Sequence, residues 1–227
     1  MRKISWKLYV FSLVVTIMIF VFGLSIGLVI EKERLQAVEE INLEQSIQMK
    51  SLQLQQFYLE SGSVNCEAMN ELFDVNMQGL FDSMNRVIEY NKKALIDSSL
   101  FEYQLRDYFL TEIQFLLFSD ELDKQCGMDS VTVIYFYDEN EQDVQGEVLD
   151  YLKKIFEERM LVFSFDSNFK EEPMIDVLMT SYDVTTFPTV IVNGKKFENG
   201  VGSDELKDYI CSEFKDKPVE CIIEQNI

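Results

Sequence analysis

The sequence predicts an α/β domain with a mixed sheet, in the order β-α-β-α-β-β-α, preceded by a transmembrane helix, a helical stalk and an antiparallel helical hairpin. Three observations predict it. An uncharged apolar run fills Leu8–Ile30. Beyond it, up to about residue 126, apolar residues recur at helical spacing with few breaks. After residue 130, short β-branched and aromatic runs alternate with amphipathic segments, the pattern of strands joined by helices. The segments divide as 1–30 (cytoplasmic N-terminus and transmembrane helix), 31–63 (stalk), 64–126 (hairpin) and 127–227 (α/β domain with a C-terminal tail).

About 20 apolar residues at 1.5 Å each span a hydrocarbon core of ~30 Å. Leu8–Ile30 is interrupted only by small residues (Ser12, Thr16, Gly23, Ser25, Gly27), and Trp6 and Tyr9 stand where an interfacial aromatic belt would lie. Arg2, Lys3 and Lys7 precede the run, and acidic residues mix with basic ones after it. The positive-inside rule then places the N-terminus in the cytoplasm and the remainder outside, as a single-pass protein of the cell membrane. A cleaved signal peptide is the competing reading, since Ser25, Ile26 and Gly27 form a small-x-small triplet. The anchor is preferred because the run is longer than the usual ~7–15-residue apolar stretch of a signal and continues past that triplet. Both readings export the main domain, where disulfides are permitted.

From residue 31 to about 60 the chain is rich in Gln and Glu without Pro or Gly, with Leu35, Val38, Ile41, Leu43, Ile47, Leu52, Leu54 and Phe57 irregularly interspersed. This predicts a helical spacer rather than a long regular coiled coil. Ser61, Gly62 and Ser63 break it. Leu72, Phe73, Met77, Leu80, Phe81, Met84, Val87 and Ile88 then mark one amphipathic helix, and Leu105, Tyr108, Phe109, Ile113, Leu116 and Leu117 a second, with Ser99 and Glu102 as its capping box. Similar lengths and a short connection make them an antiparallel pair. Cys66 and Cys126 then meet at one end. A disulfide there would close a loop of about 60 residues and stabilise by roughly 4 kcal/mol.

In the α/β domain, strands are expected at Val131–Tyr137, Leu161–Phe165, Thr189–Val192 and Lys195–Phe197, the last two joined by a turn at Asn193 and Gly194. Helices are expected over Gln145–Glu157, from Pro173 to about Tyr182, and from a Ser203 cap onward with Leu206, Tyr209 and Ile210 facing in.

The element order, the segment Val184–Val190 with Phe187, Pro188 and Thr189 at its centre, and the run Asn193–Lys195 followed by Gly200 and Ser203–Leu206 closely resemble the thioredoxin-like superfamily over about residues 130–215. The resemblance implies a cis bond before Pro188 and a binding groove floored by Thr186, Phe187 and Pro188, with Asn140 and Val144 opposite. It also exposes a departure. Redox-active members carry a CxxC between the first strand and the first helix. Here Asp138–Gln145 contains no cysteine. A helix-terminal thiolate of lowered pKa cannot exist there, and no catalytic residue is assigned.

Composition narrows the function further. Among 227 residues there is no histidine and the formal net charge is -20. Ser-His-Asp and Cys-His hydrolytic schemes are excluded, as is the commonest zinc ligand. An anionic surface repels phosphate backbones, so nucleic acid is not an expected partner. Glu139, Glu141 and Asp143 read as a solvated helix cap rather than a metal or acid–base site, and no cofactor or metal is expected. Cys66, Cys126, Cys211 and Cys221 form no CxxC; a tail folded back after Pro218 could join Cys211 to Cys221, though four cysteines allow three connectivities. The expected function is a redox-inactive module that binds an exported polypeptide or a membrane protein, or serves as a scaffold. The alternatives are a divergent thiol-disulfide oxidoreductase and a structural subunit of a membrane complex.

Overall fold

A computed structural model describes residue 6, residues 10–27, a few positions between 51 and 58, and residues 65–91, 98–139 and 144–222. The expected stalk lies almost wholly outside the described residues. The chain divides into two compact units, Met1–Ser61 and Gly62–Ile227.

In the first unit, helix α1 (Val10–Gly27) is long and apolar enough to cross a membrane. Two of its hydroxyls are satisfied within the helix: Thr16 donates to the Ser12 carbonyl at 2.9 Å and Ser25 to that of Val21 at 2.8 Å. Back-bonding of this kind lets a polar residue sit in an apolar helix without an orphan donor.

The second unit begins with α2 (Cys66–Asn91) and α3 (Ser98–Cys126). Asn65 caps α2, its side-chain oxygen accepting the Glu67 and Ala68 N–H groups at 3.0 and 3.3 Å. The helices run antiparallel, because their contacts pair in reverse order: Cys66 with Cys126, Phe73 with Phe115 at 5.1 Å between ring centroids, and Arg86 with Asp107 at 3.1 Å.

The expected inner faces need correction. Leu117 is 53% exposed, and Phe81 and Ile88 also face outward, whereas Phe115, Phe118 and Leu122 are buried. The physical reason is that α3 is covered twice, by α2 and by the sheet, so its buried surface exceeds one stripe. The expected cap at Ser99 is already the second residue of α3.

Four strands follow, β1 (Val131–Tyr137), β2 (Met160–Asp166), β3 (Thr189–Val192) and β4 (Lys195–Glu198), in the sheet order β2-β1-β3-β4. β2 lies parallel to β1, while β3 and β4 pair antiparallel, so the sheet is mixed. The parallel pair needs a crossover, which α4 (Val144–Phe156) supplies. At the β3–β4 turn Asn193 and Gly194 both have positive φ, +44° and +86°, the backbone that a two-residue hairpin demands. Asn193 also ties the turn to β1 by accepting the Thr132 N–H at 2.9 Å.

The sheet is buried on both faces. On one, Val131, Val133, Tyr135, Met160, Val190 and Val192 pack under Leu149, Leu152 and Phe156 of α4 and under Leu206 and Ile210 of α6 (Ser203–Glu213). On the other, Phe163 and Phe165 meet Phe115 and Phe109 of α3 at centroid distances of 5.8 and 6.2 Å. Helix α5 (Pro173–Ser181) opens on Glu172, whose Oε1 accepts the Met174 N–H at 3.0 Å while Oε2 receives Arg106 of α3 at 3.0 Å. Ser203 does not cap α6: Gly202 holds that position and the Ser203 hydroxyl turns to Asp204. A backbone already extended at Gly202 makes Ser203 the first helical residue instead.

At the lower end of β1, Asp129 gathers the chain. Its carboxylate accepts the N–H groups of Lys215 at 2.8 Å and Asp216 at 3.2 Å, and pairs with Arg159. Burial pushes the carboxyl up, but these three donors outweigh it and hold the group below its ordinary range. Arg159 also lies over the Phe214 ring at 4.5 Å.

Candidate functional site

The loop expected to form the groove lies at the upper, C-terminal end of β1. β3 runs antiparallel to β1 with Thr189 opposite Phe136, so Thr186, Phe187 and Pro188 stand just beyond that end of the sheet. All three are half-buried, and the Phe187–Pro188 bond is cis. Val144 is the first residue of α4 and is 60% exposed. Asn140, Glu141 and Asp143 lie outside the described residues, while Glu139 is exposed.

The start of α4 and the Pro188 loop meet across Gly200. A methyl group there would lie 3.5 Å from Gln145 Oε1 and 3.9 Å from Pro188 Cγ, on a backbone with φ of +84° that side chains rarely adopt. Gln145 carries this junction. It is 5% exposed, and its Oε1 accepts the Val201 N–H at 2.7 Å. The loop is also braced from within: the Thr189 hydroxyl donates to the Thr186 carbonyl at 2.7 Å and the Gly200 N–H to the Pro188 carbonyl at 3.3 Å. A carbonyl has two lone pairs, so these bonds leave acceptor capacity on each oxygen. Gln145 Nε2 and Thr186 Oγ1 are buried without hydrogen-bond partners among the described residues.

Sequence reasoning missed Gln145 as a structural partner of the loop. Its helical phase held the signal, since Leu149, Leu152 and Phe156 follow at i+4, i+7 and i+11 on the inner face of α4. Replacing Gln145 by leucine would leave the Val201 N–H without its acceptor. We expect a loss of about 1–3 kcal/mol in urea unfolding, with faster exchange of the Val201 amide.

All four cysteines are joined, Cys66 to Cys126 with 5.7 Å between Cα atoms and Cys211 to Cys221 with 5.6 Å. Cys126 precedes β1 and Cys211 lies in the last turn of α6, so neither pair belongs to the Pro188 end of the sheet.

The second unit is thus a mixed α/β unit with a four-stranded mixed sheet, bearing a loop and a helix start that meet at one sheet end. No known family profile matches the chain, and no curated protein does. Among solved structures, one described as the structure of a malarial protein aligns with 38% of this chain and 99% of its own length, at 21% identity and a TM-score of 0.32. The crystal structure of chloroplastic thioredoxin z, described as defining a type-specific target recognition, aligns with 42% of this chain and 88% of its own, at 12% identity and a TM-score of 0.33.

Proposed function

We propose that this protein is a membrane-anchored, extracytoplasmic member of the thioredoxin-like superfamily that is redox-inactive and binds an extended segment of an exported polypeptide or membrane protein at its Pro188 loop. One observation carries the reading. The exposed Val144 end of α4 stands beside the Phe187–Pro188 loop across Gly200, while every cysteine is committed to a disulfide away from that place. The site therefore offers apolar surface and backbone acceptors but no thiol, a combination that suits recognition by strand-like pairing rather than dithiol exchange. The element order and the Phe187–Thr189 segment support the superfamily assignment through the sequence resemblance. Helix α1 supports the anchor, and Arg2, Lys3 and Lys7 before it support a cytoplasmic N-terminus. Two disulfides suit an oxidising compartment.

A second reading, a structural subunit of a membrane complex, is favoured by Val75, Phe81 and Ile88 of α2 and Tyr103 and Leu117 of α3, all exposed. One experiment separates the two. A photo-crosslinking amino acid is placed at Thr186, at Phe81, or at Lys207 as a control, in the full chain within its native membrane. Peptide recognition gives covalent polypeptide adducts at Thr186 alone. Adducts at Phe81 alone transfer the contact to the hairpin, and equal yields at all three positions remove both readings.

A further inference from the structure

Glu112 stands on the inner face of α3 among Phe109, Ile113 and Leu116, and is 1% exposed. Its Oε1 accepts the Ser164 N–H at 2.5 Å. Ser164 lies mid-way along β2, the outermost strand on its side, so this N–H points off the sheet edge and the carboxyl replaces a neighbouring strand. Oε2 is buried without a hydrogen-bond partner among the described residues. A carboxylate in that place would have few donors for a full charge, while a neutral carboxyl carries a far smaller desolvation cost.

The groups around it do not reverse this. Burial is the largest influence and pushes the Glu112 carboxyl up to about 8; the Ser164 N–H and the Tyr108 hydroxyl on the preceding turn act in the opposite sense and do not outweigh it. Tyr108 itself is held neutral by its own burial, with Glu112 and then Tyr137 of β1 adding to the effect. Arg106 and Asp107 of α3 are committed to Glu172 and Arg86. β2 presents the Phe163 and Phe165 rings and the Ser164 N–H toward this region, none of them ionisable.

We propose that Glu112 is a proton-operated latch between the helical hairpin and the open edge of the sheet: the neutral carboxyl seals β2, and its ionisation frees α3 from that strand. The Cys66–Cys126 bond keeps α2 and α3 together, so the hairpin loosens as a pair. Release uncovers the outer N–H groups of β2, a surface able to add an extended strand.

The direction with pH follows from linkage. The latched carboxyl titrates at about 8 and a released one at the ordinary value of 4.5. Below both values the two states hold the same proton. Between them only the latched state holds it, so the latch weakens tenfold per pH unit as pH rises, and above about 8 it weakens no further.

Amide hydrogen exchange on the full chain in detergent micelles, from about pH 5 to about pH 9, tests this. The Ser164 protection factor, corrected for intrinsic exchange, should fall about tenfold per unit up to about pH 8 and then level off. Amides of the β1–β3 pairing, such as Tyr135 with Val190, should not follow it. Glu112→Gln should abolish the slope. A pH-independent Ser164, the same slope in Glu112→Gln, or parallel loss across β1 and β3 would each overturn the proposal. Where the variant does not fold, the Glu112 carboxyl ¹³C shift of the unmodified protein decides. Titration in step with Ser164 upholds the latch, and titration in the ordinary carboxylate range refutes it.

Discussion

Replacing Cys66 and Cys126 together by serine is expected to lower the unfolding free energy by about 4 kcal/mol, the chain-entropy value for a closed loop of about 60 residues. The bond joins residues 60 apart in sequence, so the unfolded chain loses much freedom when it is present. The Cys211–Cys221 bond spans a separation of only 10, and its removal should cost less, about 2.5–3 kcal/mol by the same relation. Urea titrations of the full chain in detergent give both values. An equal or inverted ranking would show that native packing, not loop closure, sets the contribution of these bonds.

Phe109→Ala is the second large effect, with an expected cost of about 3–5 kcal/mol. Phe109 is almost fully buried and touches Phe165 and Phe169 at centroid distances of 6.2 and 5.1 Å, joining α3 to β2 and the loop beyond it. Truncation removes the ring and leaves a cavity that helix and strand cannot both close. Leu117→Ala, on the outer face of the same helix, should change stability by no more than about 0.5 kcal/mol. Thermal unfolding of the two variants checks the contrast. A Phe109→Ala loss as small as that of Leu117→Ala would mean that the hairpin does not depend on this contact with the sheet.

The same pair of residues shows what the sequence could and could not reveal. The strands were legible because β1 to β3 are short, β-branched and aromatic, and bounded by turn residues, and because Asn193 and Gly194 admit few backbones other than a hairpin turn. The span of α4 was legible because its apolar residues recur at helical spacing. Helix α3 resisted the same logic. It is buried on two sides, so a search for one stripe chose Leu117 and passed over Phe115 and Phe118.

The polar residues were harder. Glu112 falls at i+3 from Phe109 and at i−4 from Leu116, an inner position by phase, but the charge a glutamate ordinarily carries at neutral pH argues for solvent unless a partner is known. That partner, the Ser164 N–H, is 52 residues away and belongs to the backbone, which no side-chain pattern announces. Gln145 was hidden for the same reason, because its partner is the Val201 N–H. At the Pro188 end, Thr186, Phe187 and Val144 were expected through resemblance alone, and what the structure adds is the close approach of Gln145 and Pro188 to Gly200.

The cluster at Asp129 has a practical consequence. It binds the chain just before β1 to the chain just after α6, so the two ends of the α/β layer leave from one side, opposite the Pro188 loop. A tag, fluorophore or surface tether attached at Ile222 would therefore sit on the side away from Val144 and Thr186. Immobilised there, the protein would present the loop outward to whatever flows past.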